Sequence, residues 1–290
     1  MALVRPIYDM ASQQVFKMSE IEVLVKLFHD ETGIVLGNSK NSLIESRLRK
    51  RILDLQIDGA AYIQLVLKDP KEKQIVIDML TTHKTDWYRE MIHYHFISEW
   101  LQKEGRQLNQ ERPLMFWSAA SSTGEEAYTM AIHLIDQGLL PSHFKILGSD
   151  ISTDCLKKAS NGIFPFKILS EQVPFEQIRK NFTKVLGQNG EKQVQINQDI
   201  REIVKFRMFN VYSQKMSHDL QFDVVFLRNI LIYFSPEKST TIIQNICKNI
   251  RVGGYIVLGL SEGLPGTGIS SEAFSNLESC GSSIYRKIRS

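Results

Sequence analysis

A chain of 290 residues, 43% hydrophobic and 23% charged with 17 glycines and 8 prolines, has the composition of an ordinary globular protein, which excludes a fibrous or low-complexity one. Thirty-five basic against 32 acidic side chains leave a net charge of +3, too small a surplus for a dedicated nucleic-acid or membrane-surface protein. Cys155, Cys247 and Cys280 form an odd set without C-x-x-C spacing, so neither a disulfide framework nor a zinc ribbon is written here, and a reducing cytoplasm fits.

The opening stretch from Met1 to Asp9 lacks the apolar core of a signal peptide, and no run approaches the roughly 18 apolar residues of a membrane span, so a cytoplasmic protein without membrane insertion is expected. From Ser19 to about Thr82 the hydrophobic period is helical. Ile21, Leu24, Val25, Leu27 and Phe28 form one stripe, with Ser19 and Glu22 as a capping box and Gly33 as the stop. Ile44, Leu48, Ile52 and Leu55 form a second, ending at Asp58-Gly59. A third runs through Tyr62, Ile63, Val66 and Leu67 to Asp69-Pro70. A longer helix is expected from Asp86 to Gln102. Residues 1–85 therefore read as a small all-α domain and residues 86–290 as a second domain.

Beyond Pro113, short apolar runs alternate with amphipathic stretches, the pattern of an α/β domain with a mostly parallel sheet. Strands are predicted at Leu114 to Ala119, Lys145 to Ser149, Val204 to Phe209, Phe222 to Leu227 and Tyr255 to Leu260. Helices are predicted at Glu125 to Gln137, Thr153 to Ser160 and Pro236 to Ile250. Between Phe182 and Ile196 two strand-like runs flank Gly187-Gln-Asn-Gly190, which reads as an inserted β-hairpin subdomain at about 180–200.

The first strand, the turn Ser118-Ala-Ala-Ser-Ser-Thr-Gly124 and the helix start at Glu125-Glu126 form a strand-turn-helix unit, and Asp150 ends the next strand. In a doubly wound sheet ligands bind beyond the strand ends, and an acid there holds ribose hydroxyls. A dinucleotide pyrophosphate needs a glycine-rich turn and a helix N-terminus free of negative charge. This turn has one glycine, Gly124, and two carboxylates at the anion position. It therefore disfavours NAD and favours a nucleoside carrying positive charge, such as S-adenosylmethionine. The two acids also satisfy a plainer reading, a capping box of Ser122 with Glu125 or of Thr123 with Glu126.

Four blocks, Thr81 to Glu90, Trp117 to Glu126, Gly148-Ser-Asp-Ile151 and Phe222 to Phe234, together resemble the chemotaxis receptor glutamate O-methyltransferase (CheR-type) family in order and spacing, over nearly the whole chain. The resemblance implies a Rossmann-like domain that binds S-adenosylmethionine, releases S-adenosylhomocysteine, and methylates glutamates on the cytoplasmic helices of chemoreceptors or a related signalling protein. Carried over by motif, His83, Thr85 and Arg89 line the cofactor, Glu126 meets its charged methionyl end and Asp150 its ribose. Asn210 and Val211 match the adenine contacts, Arg228 and Asn229 close the site, and Tyr233 matches the tyrosine beside the transferable methyl. His83 stands where the family has Asn, Gly259-Leu-Ser-Glu-Gly263 replaces Gly-His-Ser-Glu-Asn, and Ser235 replaces a frequent acid.

The same resemblance assigns Arg89 and Tyr233 to catalysis, with Arg89 orienting the acceptor carboxylate and Tyr233 walling the methyl. Arg47 and Arg51, one turn apart on a helix, are the expected substrate-binding cations, and the hairpin resembles a subdomain that in some members pairs with a receptor's C-terminal tether. A noncatalytic adaptor that keeps the fold and the cofactor pocket is the alternative, motivated by His83, Leu260 and Gly263. Gly259 to Gly263 also matches G-x-S-x-G, yet the last histidine, His218, precedes Ser261, so a hydrolase order of serine, acid, histidine fails. His93 and His95, two apart on a helix, face different ways and lack a third ligand, so no metal is expected.

Overall fold

The computed structural model describes residues 15–37, 40–105, 112–187, 190–263 and 268–289, in two compact units that divide between Thr81 and Thr82, four residues earlier than expected. The opening Met1 to Asp9 stretch, the hairpin tip Gln188-Asn189 and Leu264 to Thr267 lie outside the described residues.

The first unit consists of α1 (Met18–Thr32), α2 (Lys40–Leu55), α3 (Gly59–Lys68) and α4 (Pro70–Leu80). Its core takes most of the predicted stripes, Ile21, Leu24 and Phe28 from α1, Ile44, Leu48 and Ile52 from α2, Tyr62 and Val66 from α3, all at most 1% exposed, whereas the predicted Leu67 is 53% exposed and the unpredicted Val76 and Leu80 of α4 are buried. Each such side chain contributes roughly 1.5–3 kcal/mol by leaving water. The caps differ in detail from expectation at one end only. α1 starts before Ser19, and it is Glu20 whose carboxylate accepts the Lys17 N–H, at 2.8 Å. Gly33 closes the helix in the left-handed region, its N–H on the His29 carbonyl. Asp58 and Asp69 cap α3 and α4 through their carboxylates, and Pro70 opens α4 where no N–H is needed.

The second unit begins with α5 (Ile92–Trp100) and contains β1 (Leu114–Ala119), α6 (Glu125–Asp136), β2 (Phe144–Asp150) and α7 (Thr153–Asn161). An insertion follows, made of β3 (Ile163–Pro165), α8 (Phe166–Gln172), α9 (Phe175–Asn181), β4 (Phe182–Leu186) and β5 (Lys192–Ile196). The chain then returns through α10 (Gln198–Ile203), β6 (Val204–Met208), β7 (Phe222–Leu227), α11 (Pro236–Cys247), β8 (Ile250–Leu258), β9 (Leu277–Gly281) and β10 (Ile284–Lys287). The strand order is β6-β2-β1-β7-β8-β10-β9, with the first five parallel and β10 antiparallel to both neighbours. This is the expected Rossmann-like sheet. β7 is buried at every position and β1 at five of six, as befits central strands covered on both faces.

Three expectations are corrected. The helix predicted from Asp86 begins only at Ile92, because Tyr88 and Glu90 take left-handed φ values of 52° and 55° that a helix cannot accommodate. The insertion starts at Ile163, well before 180. β3 pairs antiparallel with β5, and β5 with β4, so the hairpin is two strands of a three-stranded sheet. The last parallel strand starts at Ile250 rather than Tyr255. Gly253-Gly254 lies inside the strand, where a Cβ on Gly254 would come within 2.7 Å of the Asp223 carbonyl.

Candidate active site

Walking outward from β1, the chain places β2 and β6 on one side and β7 and β8 on the other, so the crevice opens where β1 and β7 lie side by side. The turn after β1 lines it. Ala120 and Ser122 adopt φ of 65° and 49°, and Gly124 adopts 98°, where a Cβ would also meet Ala159 and Phe206 at about 3 Å. With Tyr88, Glu90 and Asn229 (φ 58°), five of the eight described non-glycine residues in the left-handed region border this crevice. Such conformations cost about 1–3 kcal/mol each and persist where surrounding bonds over-determine them.

Those bonds are on carboxylates. Asp150, 6% exposed, accepts the Ser122 N–H at 2.8 Å and the Ser152 N–H at 2.9 Å, which fixes the turn to the end of β2. Burial raises its pKa, against these N–H groups and the His83 charge, which lower it. His83 also anchors the turn by its carbonyl, which accepts the Ser122 hydroxyl at 3.0 Å. Glu126 is not a cap: the N-cap of α6 is Gly124, with no side-chain cap bond, and Glu126 Oε1 accepts the Ser118 hydroxyl at 2.6 Å while Oε2 faces Arg228 Nη1 at 3.1 Å. Burial raises its pKa against the pull of Arg228. Glu125 holds the Thr123 hydroxyl at 2.6 Å, and burial raises it as well.

Arg228, at the end of β7, is 5% exposed and binds protein on three sides. Nε and Nη2 reach Glu90 Oε2 at 3.2 and 3.0 Å, Nη1 reaches Glu126, and Nη2 also donates to the Arg89 carbonyl. Burial acts to lower its pKa, but the neighbouring acids, Glu126 first, outweigh that and raise it. Glu90 is held below the usual carboxylate range because Arg228 overcomes the opposing effect of burial. Asn229 donates its N–H to Glu262 and its amide to Glu90, the latter at 3.4 Å. Glu262, 1% exposed, also accepts the N–H groups of Leu231, Ile232 and Gly259, tying the loop after β7 to the loop after β8.

Of the predicted residues, Glu126, Arg228 and Asn229 are joined through Glu90 in one network, and Asp150 and His83 are joined through Ser122 in another. Arg89 has its carbonyl on Arg228, and its guanidinium charge is felt by Glu126. Asn210 and Val211, 8% and 7% exposed, follow β6, where the Asn210 carboxamide accepts the Tyr212 N–H at 2.9 Å and fixes the turn. Thr85 is half-buried, as is Tyr233 in the 3-10 turn Leu231–Tyr233. In the helical unit Arg51 forms a two-point bond to Glu72, at 2.9 and 2.6 Å, and Arg47 donates to the Met79 and Thr81 carbonyls at the end of α4. Glu90, Glu262 and Ser118 are the members that sequence reasoning missed. Glu90 and Ser118 lay inside recognised blocks and Glu262 in the Gly259 to Gly263 segment, without a spacing that marked any of them as a hub.

The residues present fit an onium-bearing nucleoside. Asp150 is a buried acid and Glu126 a partly buried one at the crevice, Glu125 adds a third carboxylate at the start of α6, and the Ser121 hydroxyl, 1% exposed, has no protein partner. A phosphate would meet three carboxylates there. A family model described as "CheR methyltransferase, SAM binding domain" matches residues 83–279, and one described as "CheR methyltransferase, all-alpha domain" matches residues 19–81. The chain belongs to the CheR methyltransferase family. It is 35% identical to chemotaxis protein methyltransferase 2 of Pseudomonas aeruginosa, over 80% of this chain and 81% of that one. Against chemotaxis protein methyltransferase 1 of Vibrio cholerae the figures are 30%, 83% and 88%, and against the Escherichia coli chemotaxis protein methyltransferase 30%, 82% and 82%. As a CheR-family methyltransferase, the second unit is a domain that binds S-adenosylmethionine. Among the described residues no helix is long and apolar enough to cross a membrane, and no cluster of ligating side chains is set to hold a metal.

Proposed function

We propose that this CheR-family protein transfers a methyl group from S-adenosylmethionine to glutamate side chains on the cytoplasmic helices of a chemoreceptor, forming methyl esters. The observation that carries the reading is the pair of acids, buried Asp150 and partly buried Glu126, at the opening of the sheet, with Glu126 sharing Arg228 with the Arg89 carbonyl. Asp150 would hold the ribose, Glu126 the methionyl ammonium, Asn210 and Val211 the adenine, and His83 and Thr85 the near wall. Arg228 and Asn229 would act behind Glu126 by keeping it and the closing loop in place.

The cofactor supplies a methyl group already activated on a sulfonium. An acceptor glutamate, with an ordinary pKa of about 4.3, arrives ionised at neutral pH and needs no general base. What the protein must supply is alignment and dryness. Arg89 would serve the first task; its backbone is held between two left-handed residues and its carbonyl is bound to Arg228. Its guanidinium would orient the acceptor carboxylate. Tyr233, half-buried in the 3-10 turn that follows β7, would wall the reacting centre and exclude water.

Recognition would fall to the helical unit and the insertion. Arg51 has five N–H donors and spends two on Glu72, and its side chain remains 32% exposed, so it and Arg47 offer a cationic edge to an acidic helix. The insertion exposes Ile168, Phe175 and Leu186 at 51%, 65% and 86% beside Lys184 and Arg179, a surface suited to an apolar and acidic receptor tether. The test is methyl transfer from tritiated S-adenosylmethionine to receptor-containing membranes. Base-labile label that mass spectrometry maps to glutamates supports the reading; cofactor binding without transfer, or label elsewhere, overturns it.

A further inference from the structure

The two histidines of α5 part company. His95 is exposed, whereas His93 is wholly buried, its ring edge-on to Phe226 at 6.3 Å, and the Arg228 guanidinium lies 5.3 Å from that same phenyl ring. His93 Nε2 stands 3.0 Å from the Ser282 carbonyl oxygen. A carbonyl only accepts, so Nε2 carries the ring proton and Nδ1 is a bare acceptor. Nδ1 has no hydrogen-bond partner and faces Glu90 Oε2 at 3.6 Å. Glu90 Oε2 therefore takes its donors from Arg228. A protonated ring would set a second donor against Arg228 for that oxygen. Burial first, and then the Arg228 charge, push the ring down to about 4 and keep it neutral, against the opposing pull of Glu90.

The other end of the ring reaches a strained turn. Ser282 and Ser283, between β9 and β10, have φ of 51° and 58°. The Ser283 carbonyl accepts the Leu258 N–H at 3.0 Å, and the Ser283 hydroxyl closes against Gly263, where a Cβ would come within 2.5 Å. This turn thus braces the loop that carries Glu262 and Leu260, and the Leu260 N–H is on Glu90 at 3.3 Å.

We propose that His93 is a positioning residue for methyl transfer, pinning the Ser282–Ser283 turn against the loop after β8 through its Nε2–H and leaving Glu90 to Arg228 through its bare Nδ1. It acts through Glu90, Arg228 and Glu126 and touches no substrate. The inference rests on Glu126 belonging to the cofactor site, which S-adenosylhomocysteine binding by the unaltered chain and by Glu126→Gln tests separately.

Glutamine places an amide N–H near the imidazole Nε2 position, whereas asparagine reaches only the Nδ1 position. On the full chain, calorimetry with S-adenosylhomocysteine should find His93→Gln within about threefold of the parent and His93→Asn or His93→Leu weakened about tenfold, with His95→Gln unchanged. In the same variants kcat falls while KM for receptor membranes holds. Nitrogen NMR should show the Nε2–H tautomer of His93, with an Nδ1 resonance that moves when the ligand is added. If His93→Leu does not fold, His93→Asn carries the comparison. Parent-like affinity in the folded fraction of the Asn variant, a Gln variant as weak as the Asn variant, or an Nδ1–H tautomer overturns the proposal.

Discussion

Arg228 Nη1 lies 3.1 Å from Glu126 Oε2, with the arginine side chain 1% and the glutamate side chain 15% exposed. The pair joins the end of β7 to the first turn of α6 across the opening of the sheet, and Glu90 on the other side of Arg228 brings in the segment before α5. One buried cation thus sets the positions of three chain segments that are far apart in sequence. Its two acids compensate a charge that burial alone would make expensive.

Arg228→Lys should be much more damaging than a like-for-like charge swap. A single ammonium cannot span Glu90, Glu126 and the Arg89 carbonyl together. Breaking part of a buried pair costs about 3–5 kcal/mol, so thermal unfolding should show a large loss of stability and calorimetry a loss of S-adenosylhomocysteine affinity of tenfold or more. Unchanged affinity would remove Arg228 from any part in shaping the site.

Glu262→Gln keeps the shape of the side chain but sets an N–H group against the four backbone N–H groups that Glu262 accepts, those of Asn229, Leu231, Ile232 and Gly259. A cost of about 3 kcal/mol, roughly 6–12 °C in Tm, is expected. The loops after β7 and β8 should show faster amide exchange than the strands between them, and uniform exchange would contradict the tie.

Arg89→Ala and Tyr233→Phe or Ala separate chemistry from folding. Arg89 is half-buried at its side chain and anchors the network by its backbone, which alanine retains. Its loss should lower kcat about a hundredfold with Tm within a few degrees of the parent. Tyr233→Phe should cost little and Tyr233→Ala about tenfold or more, because the ring excludes water and need not ionise. A large loss in the phenylalanine variant would give the hydroxyl a role in the reaction.

Burial holds Glu126 and Asp150 above the ordinary carboxylate range. In the free protein such raised groups stabilise in their protonated form, an effect full below the unfolded pKa of about 4 and lost as pH rises through the folded value. A cationic ligand needs them ionised. S-adenosylhomocysteine affinity should therefore weaken as pH falls from neutral toward that range, and binding should release protons, visible as a dependence of binding heat on the buffer. A flat affinity profile would separate these acids from the ligand.

His93 works with the opposite sign. Its pKa, about 4 against an ordinary 6.5, makes the neutral ring a stabilising one above 6.5, a contribution lost as pH falls through that interval toward 4. The shift amounts to about 3 kcal/mol, so His93→Gln should gain on the parent by that order between neutral and acid pH in denaturant titrations. Parallel curves for the two proteins would mean the ring titrates normally.

Much of the molecule was legible in the residues themselves. β1 and β7 lie where their apolar runs end, because central strands must be hydrophobic on both faces and the turn residues around them are polar or glycine. The helical stripes were as plain, since a period near 3.6 residues records one buried face. Asp150 and Glu126 could be picked out because the end of a parallel strand and the start of the following helix are places that local sequence defines.

Other features belong to distance in the chain. β9 was invisible as Leu277-Glu-Ser-Cys-Gly281, an exposed polar edge that becomes a strand only because β10 lies beside it. Of the glutamates read as a capping box, Glu126 is drawn off by Ser118 and Arg228, and Arg47 and Arg51 are drawn toward α4 and Glu72, partners that periodicity could not name. Glu90, Glu262 and His93 acquire their roles from bonds spanning 138, 33 and 189 residues. Local sequence determined the strands, the helices and where acids stand, because those follow from period and propensity over a few residues. Tertiary structure alone decided which donors each carboxylate holds and which loops it ties, because a buried charge takes the nearest donor that folding delivers, wherever in the chain it began.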